Sequence, residues 1–168
     1  MKTIGFLMIM LCLNTTIVGN LSLKKNVDDV CIELTKKEAI ECEVRKTLAK
    51  QNLDSFVVEL LVAQSKHESG NYTNSLTKYN NLFGRHHHKT DKYSLGAGAH
   101  AEGHSRFARY ATVEDAVLSQ LDYLHRKDYS FKWNSAYQYA IELKKKKYYE
   151  APVKVYTNAL NRFLENRN

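Results

Sequence analysis

The chain has only one proline and seven glycines, too few for long linkers or for a low-complexity segment. With so few breakers, the expected body is compact and mainly helical. Only three cysteines are present, and they lack the paired spacing of a structural zinc site or a reactive thiol. A disulfide-built scaffold is thereby excluded. No apolar run is long enough to cross a membrane: the longest, Ile4 to Leu13, is interrupted by Gly5 and followed by Asn14, Thr15 and Thr16. No nucleic-acid-binding module can be recognised either.

What is present suits a single globular domain. The 168 residues are 43% hydrophobic and 26% charged, and a chain of this length buries about two-thirds of its unfolded surface. The formal net charge is +7. A protein so basic is drawn to anionic polymers by a long-range attraction that salt weakens. Part of that charge, the run Lys144 to Lys147, suits the negative end of a helix. Eleven tyrosines and six phenylalanines serve chiefly as core, although amphipathic rings also suit a sugar-binding cleft.

Residues 1–19, with Lys2 ahead of the apolar run, read as a secretory signal peptide, leaving 20–168 as the mature domain. The cleavage site is imperfect, since Ile17 stands three residues before a cut after Gly19; an uncleaved anchor is the alternative. Cys31 and Cys42 form an even pair in an exported chain and make either a disulfide or two separate buried thiols. Thr35 with Glu38 is a capping-box signature, which predicts a helix over about 35–51 with Ile40, Val44 and Leu48 on its buried stripe.

The chain is organised around residues 53–84. From Phe56 to Ala63 only Glu59 is polar, and a helix apolar on every face belongs inside a domain. Asn52, Asp54 or Ser55 caps its start, and Gly70-Asn71 stops it. The helix therefore carries Glu68 to its own end, where the chain turns outward. A carboxyl there meets the negative end of the helix and apolar walls, both of which disfavour its ionised form. A raised carboxyl pKa is what a general acid near neutral pH requires.

Beyond this, residues 71–79 predict a polar crossing with a short helix from Asn74 or Ser75. Asn80 and Asn81 offer donors and acceptors for pinning a loop or touching a ligand, and equally fit an ordinary turn. Residues 85–109, with Gly96, Gly98 and Gly103, read as a hairpin or loop. Five histidines fall here (His86, His87, His88, His100 and His104), without zinc-ligand spacing, so no metal or cofactor is expected. Thr112 with Asp115 opens a further helix, with Val113, Ala116, Val117, Leu121 and Leu124 inward. Tyr110 precedes it, either as a hydrophobic staple or facing a cleft. Another helix runs from about Ser135 to Lys146 with Trp133 anchoring its start. Pro152 opens a last helix, with Val153, Tyr156, Leu160, Phe163 and Leu164 inward.

The strings Ala63-Gln64-Ser65-Lys66-His67-Glu68-Ser69-Gly70, then Tyr72, Ser75-Leu76 and Asn80-Asn81-Leu82-Phe83-Gly84 resemble the glucosaminidase domain of glycoside hydrolase family 73. Weaker likenesses follow at Tyr110 to Val117 and at Tyr148-Tyr149-Glu150-Ala151-Pro152, where Ala151 replaces the family's Asp. The resemblance spans about 50–165. It implies a mainly α, lysozyme-like domain with a buried central helix and a small β-hairpin lobe. It implies a beta-N-acetylglucosaminidase acting on peptidoglycan glycan strands, with Glu68 as general acid. Glu102, in the glycine-rich lobe, is then the candidate second acid, ahead of Asp91. The substrate's own acetamido group is the alternative nucleophile. Asn80, Asn81, Phe83, Tyr72, Tyr110, Tyr148 and Tyr149 are expected to shape the substrate site. A secreted or periplasmic monomer without an integral membrane span is the corresponding expectation. A lytic transglycosylase or muramidase, and a non-catalytic envelope-binding protein, are the competing readings.

Overall fold

Thr35 opens the first helix, α1 (Lys36–Ala49), through the reciprocal capping box expected from the sequence: its hydroxyl receives the Glu38 N–H, and Glu38 accepts from the Thr35 N–H at 2.8 Å. The computed structural model describes residues 35–100 and 106–165, all within one compact unit, Leu34–Asn168. The expected export segment, Cys31 and Glu102 lie outside the described residues. Cys42 is disulfide-bonded, and its partner lies outside the described residues. Val44 and Leu48 of α1 are buried and Ile40 packs beside them, so the expected stripe is the observed one.

The central helix, α2 (Ser55–Glu68), is capped by Asp54, whose carboxylate accepts the Phe56 N–H at 2.8 Å. Val57, Leu60, Leu61, Val62 and Ala63 are all buried, which is why this helix needs no polar face. Its one early charge, Glu59, is matched by Arg45 of α1 at 2.7 Å. Fully burying a leucine such as Leu60 or Leu61 contributes about 1.5–3 kcal/mol, and truncating it to alanine costs about 2–5 kcal/mol. The axis of the domain therefore contributes substantially to its stability.

A short 3-10 helix, Ser75–Tyr79, follows and starts at Asn74. The strands β1 (Ser94–His100) and β2 (Arg106–Tyr110) pair antiparallel, with irregular register between Ser94 and Ala99. A side chain at Gly98 would collide with Arg109 across the ladder, its Cβ falling 2.6 Å from that of Arg109, so the strands approach closely only because no side chain is there. Three helices complete the fold: α3 (Val113–Arg126), opened by the Thr112–Asp115 capping box, α4 (Ala136–Lys145) after Ser135, and α5 (Val153–Glu165). The carbonyl of Pro152 accepts the first N–H groups of α5, from Val155 and Tyr156. α5 packs on α2 and α4, and α1 packs on α3 and α2. Leu121 and Leu124 from α3, Tyr139 and Leu143 from α4, and Tyr156 and Leu160 from α5 close around α2. Trp133 is buried before α4 and its indole donates to Glu142. None of the described helices is long and apolar enough to cross a membrane.

Candidate active site

The last turn of α2 is finished by the residues that follow it. Ser69 donates backbone N–H and hydroxyl to the Ser65 carbonyl, Asn71 N–H reaches the Lys66 carbonyl, and the Asn74 amide reaches the Glu68 carbonyl at 2.9 Å. Gly70 and Asn71 take left-handed conformations (φ 59° and 54°) to make this turn. With its carbonyls satisfied, the helix end holds Glu68 in a fixed place.

The Asn80–Gly84 loop is then laid over that carboxyl. The Asn81 side chain is buried; its amide donates to the carbonyls of Arg85 and Ala108 and its oxygen accepts the Arg85 N–H, all at 2.8 Å. One side chain thus ties the loop to β2. Asn80, at φ 54°, donates to the carbonyls of Tyr110 and Ala111. The consequence falls on Gly84, whose φ is +61° and whose added Cβ would lie 3.6 Å from Glu68 Oε2. Glycine suits the backbone there, and it leaves that oxygen open to the cleft.

From the other side, α5 supplies Tyr156. Its hydroxyl donates to Glu68 Oε1 at 2.6 Å. The direction of that hydrogen bond is set by Gln64. Gln64 Oε1 receives the Tyr139 hydroxyl at 2.6 Å and the Gln120 amide at 3.2 Å. That leaves the Gln64 amide nitrogen to donate to the Tyr156 oxygen at 3.4 Å, and the Tyr156 proton free for Glu68. Burial, with Glu68 nearby, pushes the Tyr156 phenol well above its ordinary range, so it remains a donor. Tyr149 stacks on the Tyr156 ring at 4.0 Å, and His67 meets its edge at 5.1 Å.

Glu68 itself is half-buried at the floor of a cleft of about 820 Å³. Burial pushes its carboxyl above the usual range, and the Tyr156 hydrogen bond offsets this only in part. Phe83, Gly84, Arg85, Tyr123 and Tyr148 share the cleft wall, with His86, His87 and His88 at one side. Tyr148 donates its hydroxyl to the Phe83 carbonyl at 2.9 Å, and Arg85 lies over the Tyr123 ring at 3.7 Å. Glu68 is the sole carboxyl of the cleft lining among the described residues.

Of the residues expected at the substrate site, Glu68, Phe83 and Tyr148 line this cleft. Asn80 and Asn81 lie behind it and shape it through the loop. Tyr149 also sits behind, its hydroxyl on the Ala140 carbonyl. Tyr72 and Tyr110 are placed elsewhere. Tyr72 is buried with its hydroxyl on Ser65 at 2.8 Å. Tyr110 is buried with its hydroxyl between Asp91 and Ser119, so the rings serve the interior. Asp91 is itself enclosed, accepting from Tyr110, Ser119 and the Tyr93 N–H. Sequence reading passed over Tyr156 and Arg85. A hydrophobic-stripe position marks Tyr156 only as inward-facing, and nothing local marks Arg85 at all.

A buried central helix ending in a cleft, wrapped by helices and flanked by a small antiparallel hairpin, is the lysozyme-like architecture of glycan-cleaving hydrolases. The chain belongs to the glucosaminidase family of glycoside hydrolases (mannosyl-glycoprotein endo-beta-N-acetylglucosaminidase), whose profile matches residues 46–168. In fold it is similar to a chain in the structure of a type VI secretion system effector-immunity complex from Pseudomonas protegens. The TM-score is 0.58 at 15% identity, over 83% of this chain and 95% of that one. No curated protein matches the chain in sequence.

Proposed function

We propose that the protein hydrolyses peptidoglycan glycan strands at N-acetylglucosamine linkages, with Glu68 as the general acid. The observation that carries this reading is the one carboxyl of the described cleft lining, held by Tyr156 and pushed by burial toward its protonated form. With Oε1 occupied by the Tyr156 hydroxyl, the transferable proton belongs on Oε2, the oxygen beside Gly84. It passes to the bridging oxygen as the bond from that oxygen to the anomeric carbon breaks. The sugar's own acetamido oxygen attacks the anomeric carbon. Water then opens that intermediate and gives a proton to the Glu68 carboxylate, which restores the acid. Glu102 is the alternative second group, as a base for the water. Phe83, Tyr148 and the loop pinned by Asn80 and Asn81 shape the sugar subsites. Peptidoglycan lies outside the cytoplasmic membrane, so residues 1–19 serve export under this reading.

The test is digestion of purified peptidoglycan, with mass spectrometry of the released fragments. New reducing N-acetylglucosamine ends, absent with Glu68→Gln, are the expected result. One feature supports a second reading: with one carboxyl in the described cleft lining, a lytic transglycosylase also has the acid it needs. Anhydro-sugar ends in the same digest would select it. Binding to the wall without release of fragments would leave a non-catalytic envelope protein.

A further inference from the structure

The described cleft lining holds one acid and several cations, and most of those cations make no ion pair among the described residues. Elsewhere the described positive side chains near α2 are matched: Arg45 with Glu41 and Glu59, Lys66 with Glu41, Lys50 with Glu114. On the cleft wall, Arg126 is paired with Asp122. Arg85, Lys127 and Lys147 also line the cleft, and among the described residues none of the three makes an ion pair. The Arg85 Nε is buried without a hydrogen-bond partner.

The two lysines reach the cleft by a built arrangement. Lys127 is the C-cap of α3, and Lys147 follows the C-cap of α4 in a left-handed conformation (φ 57°). Between them, Lys146 donates its ammonium to the carbonyls of Lys127 and Asp128 and so joins the two turns. Lys144 donates to the Glu150 carbonyl. The ammonium groups of those two lysines are thus taken up by backbone carbonyls. Lys127 and Lys147 are left over, exposed, on the same cleft.

Sugar hydroxyl and acetamido oxygens can accept hydrogen bonds from these side chains, but a neutral glycan supplies no negative charge to three cations that make no ion pair among the described residues. We propose that the α3–α4 end of the cleft is an anion subsite for the carboxylates of peptides attached to the glycan strand. The inference rests on the hydrolase reading above and names which form of the polymer the cleft prefers. Carboxylates carried by the substrate itself arrive together with the bond to be cut, so the cations act on capture, and the effect falls on KM more than on kcat.

Initial rates on strands whose peptides carry free carboxylates, and on the same strands with those carboxylates converted to neutral amides, test the proposal. The wild-type protein is expected to favour the carboxylate-bearing form about tenfold in kcat/KM, with a preference that shrinks as salt rises. In the double variant Lys127→Gln/Lys147→Gln the ratio should fall roughly fivefold, through KM. Lys36→Gln/Lys37→Gln removes the same net charge from exposed positions on α1 and should keep the wild-type ratio. Equal cleavage of both substrates by wild type, or a ratio that survives the cleft double variant, overturns the proposal. So does a parallel fall in the α1 control, which would make the preference bulk charge alone. If the ratio survives while inhibition by added polyphosphate is lost, the subsite takes phosphate instead and the peptide assignment is wrong. Cleavage of neither substrate would sink the hydrolase reading itself, a distinct outcome.

Discussion

Glu41 and Glu68 are both partly buried carboxyls beside or on α2, yet the protein pushes them in opposite directions. For Glu41, burial is the largest single influence and pushes upward. Hydrogen bonds from Lys66 and Arg45, together with their charges, outweigh it and hold the group below the ordinary carboxylate range. Burial acts on Glu68 in the same sense, but its only counterweight is the neutral Tyr156 hydroxyl, and the group rises. The two sites differ in the partner supplied. A cation holds a buried carboxyl in its ionised form, whereas a neutral phenol is too weak a counterweight to cancel the upward push of burial.

The largest effect that would sharpen this contrast is on catalysis. Glu68→Gln should lower kcat for release of peptidoglycan fragments by about 10²–10⁴-fold, the range for loss of a general acid. An enzyme that kept its rate would break the comparison. Next, Tyr156→Phe keeps the ring on Tyr149 and removes the one hydrogen bond that lowers Glu68. Its kcat should fall about tenfold, as for a lost hydrogen bond to a charged group. Because the alkaline limb of the rate profile follows ionisation of the acid, that limb should move to higher pH.

A smaller effect is expected at the paired site. Lys66→Met should cost about 1 kcal/mol near neutral pH in a denaturant titration, since the pair is partly exposed. Glu41 is depressed in the folded state, so its contribution is present above the unfolded pKa and is lost as pH falls through the folded one. The gap between Lys66→Met and wild type should therefore close in acid. The smallest effect has the opposite sign. Glu68 is raised on folding, so the wild type loses stability as pH rises through the folded pKa. Glu68→Gln should melt slightly higher than wild type at alkaline pH, and the two should converge below the unfolded carboxylate range.

Much of this arrangement was legible locally. The all-apolar run from Phe56 to Ala63 announced the central helix, and the Thr35–Glu38 and Thr112–Asp115 pairs marked helix starts that the structure reproduces. Glu68 was placed at the helix end because capping and stop signals act within a few residues. The partners were another matter. Tyr72 and Tyr110 read as cleft tyrosines, but whether a phenol faces solvent or the interior depends on acceptors such as Ser65 and Asp91, which local spacing does not reveal. Tyr156 was legible as core and illegible as the holder of Glu68, because its hydrogen bond spans 88 positions. The unpaired state of Arg85 and Lys147 likewise appears only once the carboxylates are located in space.

That long reach of Tyr156 has a consequence for how the protein comes into being. Gln64, Gln120, Tyr139 and Tyr156 come from α2, α3, α4 and α5, and closing contacts across such separations has an entropic cost that delays them relative to local helix formation. While α5 is undocked, the end of α2 carries a carboxyl with no phenol beside it. The geometry that holds the acid is thus expected to close late in folding. Loosening the seat of α5, for example at Leu160, should silence the enzyme before it melts the rest of the domain. Activity is then a more sensitive reporter of the docked state of this helix than any measure of overall helical content.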